Sequence, residues 1–427
     1  MTIVFLLILF ATAITASYYN KDIFSPIRIY ICIYALLLAI NALHLSGLQT
    51  PWALTTHLLF WGASFFFIAG STIIILVNRI NNPHAAINFA SIQSSVKISA
   101  NATDWKWFFK IWLLCTLLFF ASYLASFLIT GIVPVFSEDP DTARIKFLSA
   151  SLLSNMGIFL GPLSLALATE LWFFGALKGR NRLAIVIFSV VTLVLYLSLV
   201  TRFDLFRFIL FAIILLHYGR KKLSFGTLCT ALALSLVLFF AFFLLRLKSN
   251  SLSMVLQMHK LKIPKDFVWC SNIYAYVVCN FWNMDFAIRK FVDGTAMHPH
   301  GWGFDLFRPF LWIAQLESTI AHGYGFDTIM NESVQMVKSL NTIAYPWHFF
   351  KDFGVFGVYF LPLFFGMLIT IFYVNTVNSP TLFNISMWAL LAPFILFSYA
   401  IPLWEFWFPY LYFLIMAIAH KRIRIAT

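Results

Sequence analysis

Three charged residues interrupt an otherwise apolar run. Arg202, Asp204 and Arg207 fall within six positions of one another in the stretch from Leu183 to Tyr218. That stretch holds about 36 residues, or ~54 Å of helix at ~1.5 Å per residue. Two full crossings of a ~30 Å hydrocarbon core would need ~60 Å plus a turn. The pair of runs is therefore slightly short, and its charged tip falls below the membrane surface. Charge at that depth must face protein or a water-filled cavity. Arginine there suits a phosphate group, because its planar fork donates two parallel hydrogen bonds and it never deprotonates. Two plainer readings compete: an Arg202–Asp204 pair that caps a helical hairpin, and an Arg207 that extends its head to the interface. Arg144, in a short polar segment from Ser137 to Lys146, is a further candidate for an anion, or else a solvated loop charge.

A second group lies between Ser339 and Gly357. Asn341, Thr342, Tyr345 and His348 offer the hydrogen bonds a sugar needs, and Asp352 and His348 are candidates for moving a proton, as is Asp204. A polar stretch satisfying its own turns is the alternative for the first four, and an N-cap is the alternative for Asp352. Gly354 and Gly357 are expected to allow close helix approach. Glu170 and Glu405 sit inside apolar runs and need polar partners. His298-Pro-His300 is too short and irregular for a zinc signature, so neither a metal nor a cofactor is expected. No phosphate-cradling glycine loop, nucleophile elbow or His-Glu-x-x-His is present.

The elements that must position these residues are membrane spans. Charged residues make up 11% of the chain and hydrophobic ones 61%, against about 25% and 45–50% in soluble domains. Fifty phenylalanines and fourteen tryptophans exceed what one aqueous core of this length hides. About eleven apolar stretches reach the ~20 residues a spanning helix needs. They begin near Thr2, Arg28, Ala53, Phe108, Leu152, Leu183, Asp204, Leu223, Phe353, Phe383 and Pro402. The first looks like a retained span, since no basic residues precede it as they would a cleaved leader. The net charge of +13 sits in short clusters between spans, namely Lys178 to Arg182, Arg220 to Lys222 and Lys421 to Arg424. That is the positive-inside pattern and not a nucleic-acid patch. It places those clusters in the cytoplasm and the N-terminus outside. The fold expected is an all-α integral membrane protein, residues 1–427 forming one polytopic domain. Residues 248–352 form a large outer-face loop rich in Trp, Phe and Tyr. Parts of that loop, such as Phe304 to Leu316, are expected to lie along the membrane surface as short amphipathic helices. Cys270 and Cys279 fall in the same loop, but on one helix they are ~13.5 Å apart along its axis and cannot bridge. No internal repeat of the transporter kind is visible.

Four stretches in this order resemble the oligosaccharide repeat-unit polymerases, the O-antigen polymerase family. They are Gly131-Ile-Val-Pro134 with Asp141 and Arg144 to Phe147; Thr201 to Asp204; Tyr274-Ala-Tyr276 with Asn280 to Asp285; and Asn341-Thr342 with Asp352 to Gly357. The resemblance implies a membrane glycosyltransferase-like fold with an outer-face cavity, multi-pass in the bacterial inner membrane. It implies undecaprenyl-pyrophosphate-linked oligosaccharides as donor and acceptor, membrane lipids as surroundings, a chain-length regulator as a further partner, and no nucleic acid. In that frame Arg202, Arg207, Arg144, Asn341, Thr342 and Tyr345 bind substrate, and the proton acceptor is Asp352, His348 or Asp204. An O-antigen ligase and a lipid-linked oligosaccharide flippase are the alternatives.

Overall fold

The computed structural model describes residues 22–81, 89–175, 179–199, 202–224, 226–227, 230, 262, 271–293, 300–323, 342–400 and 402–421. Among these residues the fold is all helical, with no strand. Among the described residues, five helices are long and apolar enough to cross a membrane: Leu54–Asn81, Trp105–Thr130, Leu152–Phe174, Arg180–Ser198 and Pro346–Asn378. Shorter apolar helices span Pro26–Asn41, Leu382–Phe397 and Trp407–His420. The expected span near Asp204 is a helix, Arg202–Gly219, that carries Arg202, Asp204 and Arg207 in its first two turns. The stretch beginning near Thr2 lies outside the described residues, and the one beginning near Leu223 is described at only a few positions.

Local signals set the helix ends. Asp104 accepts from the Lys106 and Trp107 amides at 3.1 and 3.2 Å, which starts Trp105–Thr130; Gly131, at φ 65°, stops it. Ser151 caps the next helix through the Ser154 amide at 3.0 Å. The polar segment after Gly131 is itself ordered, as a 3-10 turn Pro134–Phe136 and a helix Pro140–Leu148.

The chain divides into two compact units. One comprises Met1–Ile87, Ser249–Val374 and Leu391–Trp407. In it, Leu54–Asn81 packs closely on the later part of Pro346–Asn378. A Cβ at Gly62 would meet the Tyr359 ring, one at Gly70 the Leu363 carbonyl, and one at Gly366 the Phe67 carbonyl, each closer than 2.3 Å. Helix approach through small residues is how spans associate without a hydrophobic drive between them. The other unit comprises Asn88–Lys248, Asn375–Leu390 and Phe408–Thr427. It holds the buried Glu170, whose carboxylate lies 3.0 Å from His420 Nε2.

Among its described residues, the segment expected as a long loop contains the helices Ser271–Val292, Phe304–Ile313 and Glu317–Gly323. Its last turn is also helical, so the following helix begins at Pro346 and not near Phe353. The helix breaks at Gly354, with φ 63° and ψ −151°. That backbone region is open almost only to glycine. Gly354 therefore serves the break, where close helix approach was expected. Gly357 does make a close approach, to the Phe349 carbonyl on the near side of the same break.

Candidate functional site

The break at Gly354 leaves backbone carbonyls just before it without their usual helical donors. The loop at 300–302 fills two of them. Gly301 N–H donates to the Lys351 carbonyl at 3.0 Å, and Trp302 N–H to the Asp352 carbonyl at 2.8 Å. His300 Nδ1 lies 3.3 Å from the Lys351 carbonyl. Gly303, at φ 95°, then opens the helix Phe304–Ile313 but has no side chain with which to cap it. Asp352 supplies the cap from across the break: its two carboxylate oxygens accept from the Asp305 amide at 3.2 Å and the Leu306 amide at 3.1 Å. Those are the second and third helical positions, where a cap bonds. Asp352 is thus an N-cap, but of a helix whose bonded positions lie 46 and 47 residues before it in the chain.

Capping this helix brings Asp305 against the face that carries His348 and Lys351. Asp305 is 1% exposed, and its Oδ2 sits 2.6 Å from Lys351 Nζ. His348 Nδ1 lies 2.6 Å from Glu405 Oε1 and 3.6 Å from Asp305 Oδ2. Arg308, one turn on, pairs with Glu317 at 2.6 Å. Burial pushes the Asp305 carboxyl up, but the Lys351 ammonium and His348 outweigh it and hold it below the usual carboxylate range. Burial likewise favours loss of the Arg308 proton, and Glu317, Glu405 and Asp305 together hold that proton more tightly than usual.

The arrangement fits proton transfer. Glu405 at Nδ1 orients the imidazole, and in its neutral form the ring presents Nε2 as a base. His348 Nε2 is buried and has no hydrogen-bond partner among the described residues. Donor atoms of Asp305, His348 and Glu405 also lie within 4.8 Å of one another, close enough to hold a metal ion. Lys351 already places a positive charge on Asp305, which opposes a second cation there.

The remaining sequence candidates are placed as follows. Tyr345 is a core residue: its hydroxyl is 2.8 Å from that of Tyr30, and its amide donates to the Ser398 carbonyl at 3.0 Å. Thr342 braces Ser271–Val292, its carbonyl accepting from Asn283 at 3.0 Å and its hydroxyl lying 3.7 Å from Cys279 Sγ. Cys279 forms no disulfide among the described residues; Asn341 and Cys270 lie outside them. Arg144 lies on the helix Pro140–Leu148 and is partly buried. Asp204 and Arg207 belong to the other unit, where Arg207 pairs with Asp204. The side chain of Arg202 lies outside the described residues, and Asp204 also accepts from the Tyr196 hydroxyl at 2.5 Å. The Arg207 guanidinium stacks 4.5 Å over the Phe408 ring. Arg202 opens the helix Arg202–Gly219.

Sequence reasoning missed Asp305, Lys351 and Arg308. Asp305 and Arg308 stand three apart in Phe-Asp-Leu-Phe-Arg-Pro-Phe, so a helix would put both charges on one face. That spacing was the available signal. Glu405 was visible as a carboxylate in an apolar run, and its partner is His348. A scan against family models and searches for similar characterised proteins and similar solved structures find no match.

Proposed function

We propose that this protein is a membrane glycosyltransferase that polymerises undecaprenyl-pyrophosphate-linked oligosaccharide repeat units into O-antigen or a related surface polysaccharide. The reading places it in a bacterial inner membrane with about eleven spans, residues 248–352 forming the periplasmic loop. One observation supports it above the others. His348, with Glu405 at its Nδ1, stands between the two parts of the last stretch that resembles the polymerase family, Asn341-Thr342 and Asp352 to Gly357.

In this reading His348 Nε2 takes the proton from an acceptor sugar hydroxyl. The hydroxyl oxygen forms a bond to the anomeric carbon of the donor glycan as the bond to the pyrophosphate oxygen breaks. The leaving lipid pyrophosphate carries away the electron pair and needs a cation to offset its growing charge, the role that the resemblance gives to Arg202 and Arg144. Asp352 acts indirectly, by holding the helix that carries Asp305.

The test supplies purified protein in lipid with one defined lipid-linked repeat unit. A ladder of lengthening products is expected, and it should disappear in a well-accumulating His348→Gln variant. No ladder from the unaltered protein, or a normal ladder from the variant, overturns the reading. Single transfer to a lipid A core acceptor would mark a ligase instead, and transbilayer movement alone a flippase.

A further inference from the structure

The helix Phe304–Ile313 has its polarity reversed relative to a helix on a water-facing surface. Its inward face carries Asp305 and Arg308, both in ion pairs. Its outward face carries Phe307 and Phe310, each 55% exposed, and Ile313 at 50%. Trp302 before it and Leu316 after it are also exposed. A helix bathed in water shows the opposite pattern, apolar inward and charged outward. A contiguous apolar face of this kind needs an occupant.

Position identifies the occupant. The Asp352 carboxylate holds the helix by its N-terminal amides. Only three and four residues beyond Asp352, Val355 and Phe356 are 50% and 66% exposed, and they begin the outward apolar strip of the span that continues through Phe360 and Phe364. Ring atoms of Phe353 and Phe307 stand 3.0 and 3.2 Å from where a Cβ at Gly303 would lie, so the N-terminal end of the apolar face adjoins the start of the span. It is continuous with a surface that the bilayer covers.

We infer that residues 302–316 form a membrane-seated helix whose outward face, centred on Phe307 and Phe310, contacts lipid at the boundary of headgroups and acyl chains. The membrane then forms the outer wall of the charged cluster, because the opposite face of the same helix supplies Asp305 to Lys351. A lipid-borne substrate would meet the cluster at the depth of its own headgroup, although the inference does not require the polymerase reading.

The test places the photo-crosslinker p-benzoylphenylalanine at Phe310, and separately at Phe307, in the full-length protein in native membranes. The same residue at Phe356 is the positive control, and at Ser318 the contrast position. After irradiation, mass spectrometry of the purified chain should show a phospholipid adduct at 307, 310 and 356, and at 318 less than a tenth as much. A lipid adduct at 356 but none at 307 or 310 overturns the inference. So does an adduct at 310 with a protein in place of lipid, or equal lipid labelling at 310 and 318.

Discussion

Replacing Lys351 by Met removes the ammonium but keeps most of the apolar stem. It leaves the Asp305 carboxylate, 1% exposed, without the cation now 2.6 Å away. Breaking a buried pair from one side costs about 3–5 kcal/mol, because the remaining charge is neither solvated nor paired. His348 Nδ1, 3.6 Å from the same oxygen, supplies partial compensation. The expected loss is therefore near the lower end, about 3 kcal/mol. Asp305→Asn alone should also destabilise, by removing the carboxylate 2.6 Å from the buried Lys351 ammonium. The double variant removes both charges, and replacing both members of a buried pair is often close to neutral. It should be more stable than either single variant. Unfolding in mixed detergent micelles, followed by circular dichroism, would give the three free energies and their coupling. If the double variant lost the sum of the two single losses, the side chains would not be acting as a pair, and the electrostatic account of the cluster would fail.

Four further outcomes are expected. Gly354→Ala should lower stability by about 1–3 kcal/mol, because alanine does not adopt that backbone conformation readily and its Cβ would stand 3.0 Å from His300 Nε2; an unchanged thermal midpoint would refute the need for glycine at the break. Arg202→Ala should cut polymerisation roughly a hundredfold, the equivalent of ~3 kcal/mol in the transition state, while Arg202→Lys rescues poorly; normal ladders from well-expressed Arg202→Ala would remove it from the reaction. Polymerisation should survive excess EDTA, since Lys351 already supplies positive charge at Asp305; loss with EDTA and recovery with Mg²⁺ or Mn²⁺ would place an ion on Asp305, His348 and Glu405. Single cysteines at Asp293 or Glu332 should react with an impermeant thiol reagent from outside, and those at Arg180 or Lys221 should not; outside labelling of Arg180 would invert the topology.

What the sequence could tell depended on the range of the interaction. Apolar run length is local, so the helices at Leu54, Trp105, Leu152 and Arg180 begin within a few residues of their expected starts. The interruption between Leu183 and Tyr218 is local too, and it separates the helices Arg180–Ser198 and Arg202–Gly219. The start at Pro346 was hidden because Gly354 splits the helix, so apolar content alone marks only its second part. At the site, His348 and Asp352 stood out because they are polar residues at the edge of an apolar run. Their partners are set by tertiary contact: Glu405 reaches His348 from 57 residues away, and Asp305 reaches Lys351 from 46. A charge within an apolar segment signals that a partner exists but not which one, since many pairings satisfy the same desolvation cost. The choice here follows from one local event. Glycine at 354 ends a helical turn, the freed carbonyls of Lys351 and Asp352 capture residues 301 and 302, and the Asp352 carboxylate captures the following helix. Once that helix is fixed by its amides, Asp305 at its second position reaches Lys351 and His348, and the charged cluster follows from the backbone break.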